Sequence, residues 1–277
     1  MYTEYWQSVR LVKLDQGISE ENRPIRLELS DDWHKKVTIA VKKLDLAVLD
    51  EVIFNNHSGR SVHSLPKIGH DATGLKHGSR SMQLIYIHGL NSNHLSPKGQ
   101  WISNWCAKHR PDITVRCPDL NLPPKQVMAL LGEWIAQDPH TAVVGSSLGG
   151  FFATACVAVH DVRAVLINPS VRPFESLQRF FRQGQAEHTT ETGWRMTPDQ
   201  LDDLAAYYQA VPVHADQILV LLKQGDEVID YRIAEAYFSQ SGAQSPMIIE
   251  PDGDHFMSDM ADKIPLMIDF LFAPVRA

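Results

Sequence analysis

The chain has 277 residues, 44% hydrophobic and 21% charged, with a formal net charge of −7. That length can bury a sizeable core, and the composition excludes wholesale disorder. Its Lys and Arg residues are scattered rather than gathered into a phosphate-binding stripe, so nucleic acid is not an expected partner.

Cys106, Cys117 and Cys156 are widely spaced and include no C-x-x-C pair, which suits buried thiols in a reducing compartment. The opening stretch MYTEYWQSVRLVKLDQG carries Glu4, Arg10, Lys13 and Asp15 where a secretory signal has a continuous apolar core. No apolar run is long enough to cross a bilayer, so a cytoplasmic protein with no membrane partner is expected.

In chain order, residues 1–80 form an N-terminal extension of unassigned role. Within it SVRLVKL and RPIRLEL read as a strand pair, Ser30 to Phe54 as a helix capped by Ser30, and residues 55–80 as linker. His57, His63, His70 and His77 recur there without the cysteine or carboxylate partners of a metal site, so a solvated loop is the reading and no metal is expected.

From residue 81 onward, apolar runs alternate with amphipathic stretches, the pattern of an α/β domain with a mostly parallel sheet. The predicted strands are 84–88, 113–117, 142–146, 164–168, 218–222 and 247–250. Predicted helices cover about 97–109, 123–137, 148–160, 231–240 and 257–272; the first opens with Ser96-Pro97, an N-cap followed by a first-turn proline. The interval 171–216 is too long for an ordinary crossover and reads as a small lid insertion, though a helical pair packed on the body would leave the same pattern. Its Phe180, Phe181 and Trp194 are candidate walls of an apolar acyl site.

The stretch AVVGSSLGGFF, residues 142–152, places two serines between glycines where a strand gives way to a helix. A serine hydroxyl needs a base beside it and a turn that lifts it clear of the backbone, and that turn closes only with small residues two before and two after. Gly145 and Gly149 stand at those positions around Ser147, so Ser147 is the nucleophile candidate and Ser146 is not. The backbone N–H of Leu148 supplies one oxyanion donor, and that of Leu90, after the flexible Gly89, supplies the other. Asn91 is a possible third donor, and His88 is read as shaping this loop through a hydrogen bond.

Hydrolases of this architecture place serine, acid and histidine in that order. His160, His188 and His214 fall on a helix end or in the insertion, whereas His255 lies in a loop just after the last strand and is the candidate base. Asp226 follows the fifth strand of this series, level with the strand ends where open α/β sheets bind ligands, and is the candidate acid. Asp230 is expected to cap the next helix, the Glu227 side chain to point elsewhere, and Asp252 and Asp254 to serve the turn.

The segments YIHGLNSNHLSPK, VVGSSLGGFFAT, INPSVRPFE, GDEVIDYRIAEAY and GDHFM, in that order, resemble the YqiA-like esterases of the α/β-hydrolase superfamily. The resemblance implies a three-layer α/β-hydrolase fold and cofactor-free hydrolysis of carboxylic esters or acyl thioesters by Ser147, Asp226 and His255. It leaves residues 1–80 without a counterpart, and Arg172 is expected to pin its loop rather than face substrate. The expected partner is a small-molecule acyl ester or thioester of short to medium chain. Transfer to an acceptor other than water uses the same triad, and a non-catalytic binding module keeps the fold without turnover. A dehalogenase is excluded, because its aspartate nucleophile would stand where Ser147 does.

Overall fold

The computed structural model describes residues 6–12, 51–56, 61–62, 82–240 and 244–273. The chain divides into two units, Met1–Lys76 and His77–Ala277. In the first, β1 (Trp6–Val12) pairs antiparallel with β2 (Glu51–Asn56), which pairs with β3 (Ser61–Val62). The helix expected through Phe54 is therefore corrected at its end, and the linker expected from residue 55 begins with strand. Val52, Ile53 and Phe54 are consecutive β-branched and aromatic residues that prefer a pleated surface, and β1 offers them a ladder. The segment RPIRLEL and residues 13–50 as a whole lie outside the described residues.

The second unit is built on a six-stranded sheet. Its strands are β4 (Met82–Ile87), β5 (Ile113–Arg116), β6 (Thr141–Ser146), β7 (Arg163–Ile167), β10 (Ile218–Lys223) and β11 (Met247–Glu250), and every pairing is parallel. These are the six apolar runs of the sequence. A parallel strand covered on both faces is apolar along its whole length, which is why the runs stand out.

Alternate residues of each strand face opposite layers. Leu84 and Tyr86 join the core beneath α1 (Pro97–His109) and α7 (Ile264–Leu271), while Ile85 and Ile87 join the core beneath α2 (Pro124–Gln137), α3 (Leu148–His160) and α6 (Tyr231–Phe238). The result is three layers. Strand order is β11-β10-β7-β6-β4-β5, so the chain runs from β4 to β5 on one side and then crosses to β6 on the other. Such a reversal opens a crevice at the carboxyl ends of β4 and β6, the usual ligand position in this class of sheet.

The insertion holds α4 (Pro173–Ser176), a 3₁₀ turn at Leu177–Phe181, a short hairpin of β8 (His188–Thr189) and β9 (Arg195–Met196), and α5 (Pro198–Tyr207). Leu177, Trp194, Met196, Leu201 and Leu204 are buried with Phe151 and Phe152 of α3, so the insertion shares the body's core.

Candidate active site

Ser147 lies at the join of β6 and α3 with φ 55° and ψ −119°, a left-handed conformation that a serine adopts at a cost of about 1–3 kcal/mol. Close packing forces this turn. A Cβ on Gly145 would overlap the Gly149 carbonyl, one on Gly149 would overlap the Ile87 carbonyl, and one on Gly150 would lie 2.6 Å from Pro169 Cβ. The G-x-S-x-G spacing thus reflects two backbone approaches, at Gly145 and Gly149, that no larger residue permits.

Gly89 brings the loop after β4 against the serine. A Cβ built there would lie 3.1 Å from Ser147 Cβ and 3.6 Å from its Oγ. The N–H groups of Leu90 and Leu148 have no acceptor among the described residues. His88 holds this loop: the Leu120 N–H donates to its Nε2 at 2.9 Å, so the ring proton is on Nδ1 and donates to the Gly89 carbonyl, also at 2.9 Å. Burial keeps the His88 imidazole below its ordinary pKa, consistent with a neutral ring.

Asp226 and His255 come together, with Asp226 Oδ2 and His255 Nδ1 2.7 Å apart. The carboxylate side chain is 2% exposed and the imidazole 19%, so the carboxylate is shielded while the ring remains reachable. Asp226 Oδ1 accepts the N–H groups of Val228 and Ile229, each at 2.8 Å, which fixes the carboxylate plane toward the ring. Asp230 accepts the Arg232 N–H and caps α6.

Three side chains not expected in this role hold the main chain around the histidine. Glu227, expected to point elsewhere, accepts the His255 N–H at 2.9 Å. Asn168 Nδ2 donates to the carbonyls of Asp254 and His255, each at 3.1 Å, while its Oδ1 accepts the Lys223 N–H. Because the Ser147 N–H donates to the Ile167 carbonyl, consecutive residues at the end of β7 hold the main chains of both serine and histidine. Lys98 Nζ donates to the Phe256 carbonyl at 2.7 Å. These contacts span 28 to 158 residues of chain, so no local pattern announces them.

The remaining candidates lie around the insertion. Asn91 is exposed, and its Oδ1 accepts the Glu191 N–H at 3.2 Å, tying the loop after β4 to the hairpin. Trp194 is buried, with its indole N–H on Gln200, whereas Phe180 is half-buried and stacked on His188 at 4.0 Å, and Phe181 packs against the core. Arg172 pairs with Glu175 at 3.2 Å on the surface.

Residues 83–272 match the uncharacterised protein family UPF0227, the YqiA-like group that the motifs resemble. The chain belongs to that family. This UPF0227 member shares its fold with α/β-hydrolase domain-containing protein 10 from mouse, at 14% identity and a TM-score of 0.53 over 68% of this chain and 89% of that one. It is similar also to Est1E from Butyrivibrio proteoclasticus, at 11% identity and a TM-score of 0.55 over 70% of this chain and 90% of that one. The fold is that of the α/β hydrolases. No helix among the described residues is long and apolar enough to cross a membrane.

Proposed function

We propose that this UPF0227 member is a serine hydrolase of carboxylic esters or acyl thioesters, with Ser147 as nucleophile, His255 as general base and Asp226 as the acid that orients it. The observation that carries this reading is the 2.7 Å Asp226–His255 contact on a loop bonded to Asn168, whose chain neighbour Ile167 holds the Ser147 main chain. With Nδ1 committed to Asp226, His255 Nε2 is the nitrogen left to take the Ser147 proton. Ser147 Oγ then bonds to the acyl carbon while the N–H groups of Leu148 and Leu90 donate to the developing oxyanion. The leaving group departs with the proton held by His255, and water, deprotonated by the same imidazole, releases the acid and frees the serine.

The preferred acyl groups are short to medium, because the hairpin of the insertion is tied down beside the oxyanion loop through Asn91. Turnover of chromogenic esters and acyl-CoA thioesters of graded length tests this, beside Ser147→Ala and Ser146→Ala. Ser147→Ala abolishes turnover and Ser146→Ala retains most of it. Equal loss in both variants, or faster hydrolysis of emulsified long-chain fat than of a soluble butyrate ester, overturns the reading.

A further inference from the structure

Lys98 is anomalous on elementary grounds. It stands in the first turn of α1, where the helix dipole disfavours a cation, and it is only 6% exposed. Among the described residues no carboxylate lies within salt-bridge distance of it, and Asp254, which acts on it through space, spends its oxygens on the Ser258 hydroxyl and N–H. Burying an ammonium without an ionic partner costs stability, and here the cost shows in an amine pKa lowered by burial to about 8. Stability does not explain the residue.

Its contacts do. Nζ donates to the Phe256 carbonyl at 2.7 Å and lies 3.9 Å above the Phe256 ring, which Trp101 of the same helix meets edge-on at 5.7 Å. A Cβ on Gly99 would lie 2.9 Å from both Tyr86 Cδ1 and Cys117 Sγ, so the glycine lets the start of α1 seat against the sheet and brings Lys98 to that carbonyl. The Glu227, Asn168 and Asp226 contacts reach the histidine loop from residues after β7 and β10. Lys98 reaches it from the segment that continues the oxyanion loop.

We propose that Lys98 is a positioning residue that fixes the His255 loop relative to the oxyanion loop, so that the imidazole and the Leu90 N–H are held in one geometry around Ser147. The inference rests on the esterase reading for its kinetic consequence and on the hydrogen bond alone for its structural one.

The test compares Lys98→Met and Lys98→Arg with the wild type in three measurements: ester turnover, thermal midpoint, and amide hydrogen exchange at Met257 and Ser258, whose N–H groups bond within the histidine loop. Lys98→Met is expected to lower kcat about ten- to a hundredfold with KM within about twofold. Its thermal midpoint stays level or rises, because an unpaired buried charge is gone, and exchange quickens at Met257 and Ser258 alone. Lys98→Arg, which keeps a cationic donor, recovers most of kcat. Full kcat with unchanged exchange in Lys98→Met overturns the inference. So does a fall in kcat that tracks a lowered thermal midpoint and is not recovered by arginine, since the bond then serves folding only. A wild type inactive on every ester and thioester overturns the esterase reading instead, and the exchange measurement still decides whether Lys98 holds the loop.

Discussion

Asp226 divides its two oxygens between separate tasks, and that division makes its role testable without dismantling the turn. Oδ1 takes the N–H groups of Val228 and Ile229, and Oδ2 takes the imidazole. In Asp226→Asn the amide oxygen keeps the two backbone bonds, but the amide nitrogen then faces His255 Nδ1 and favours the tautomer with its proton on Nε2, the nitrogen that accepts one in the proposed mechanism. The expected result is a loss of about 10³- to 10⁴-fold in kcat with little change in thermal midpoint. Glu227→Gln retains an acceptor for the His255 N–H and is expected to keep kcat within a few-fold. Parallel kcat measurements on a butyrate ester check both, and equal losses would mean that the two carboxylates had been assigned the wrong tasks. At Gly149 the constraint is steric. A Cβ would overlap the Ile87 carbonyl and lie 2.7 Å from that of His88, so Gly149→Ala must push α3 from β4, lowering stability by about 1–3 kcal/mol in a denaturant titration and lowering turnover with it.

Between elements, the hairpin β8–β9 is tied to the body through polar contacts. Thr192 donates to Asn121 Oδ1 at 2.5 Å, and Asn121 Nδ2 donates to the Ser92 carbonyl at 3.0 Å, so one side chain joins the insertion to the loop after β4. Asn121→Ala removes both ties. Its expected signature is faster hydrogen exchange in the hairpin and a preference shifted toward longer acyl esters, with the strands of the main sheet as protected as before. An unchanged acyl profile would show that the hairpin does not limit the substrate.

Those ties also show where a sequence stops being readable. The six strands, α3 and the turn at Ser147 were legible because continuous apolar runs and close-set glycines are local consequences of burial and backbone approach. The positions of Asp226 and His255 followed from loops expected at the strand ends. Asn121, Asn168, Glu227 and Lys98 were not legible, since each acts through a partner distant in sequence and uses an ordinary polar side chain. Around Phe54 the difficulty was of another kind: an apolar run that fits a helix by spacing became a strand because β1 supplied a partner.

Across the whole molecule, the sheet edge that carries the histidine loop is braced by charge. Lys223 and Lys263 each contact both Glu250 and Asp259 at 2.6–2.9 Å, and the Lys223 stem runs beneath Gly253, where a Cβ would lie 2.6 Å from Lys223 Cδ. Burial alone would raise the two carboxyl pKa values, but bonds from both lysines outweigh it and hold Glu250 and Asp259 below the ordinary range. A carboxyl whose folded pKa is depressed stabilises the fold above its unfolded value, about 3.9 for Asp and 4.3 for Glu, and loses that contribution as pH falls through the folded value. Lys223 is also disfavoured by burial, yet its bonds to Asp259 and Glu250 raise its pKa, so its contribution is complete below its unfolded value and lost only as pH rises through the folded one. The expected outcome is a difference between proteins. At pH 7 the double variant Glu250→Gln, Asp259→Asn unfolds at a lower temperature than the wild type, and the gap closes as pH drops below about 4, because the wild type is then being protonated toward the same neutral state. Thermal midpoints measured from pH 7 down to pH 2.5 check this; a gap that stays constant across that range would mean that packing, and not the paired charges, braces the loop.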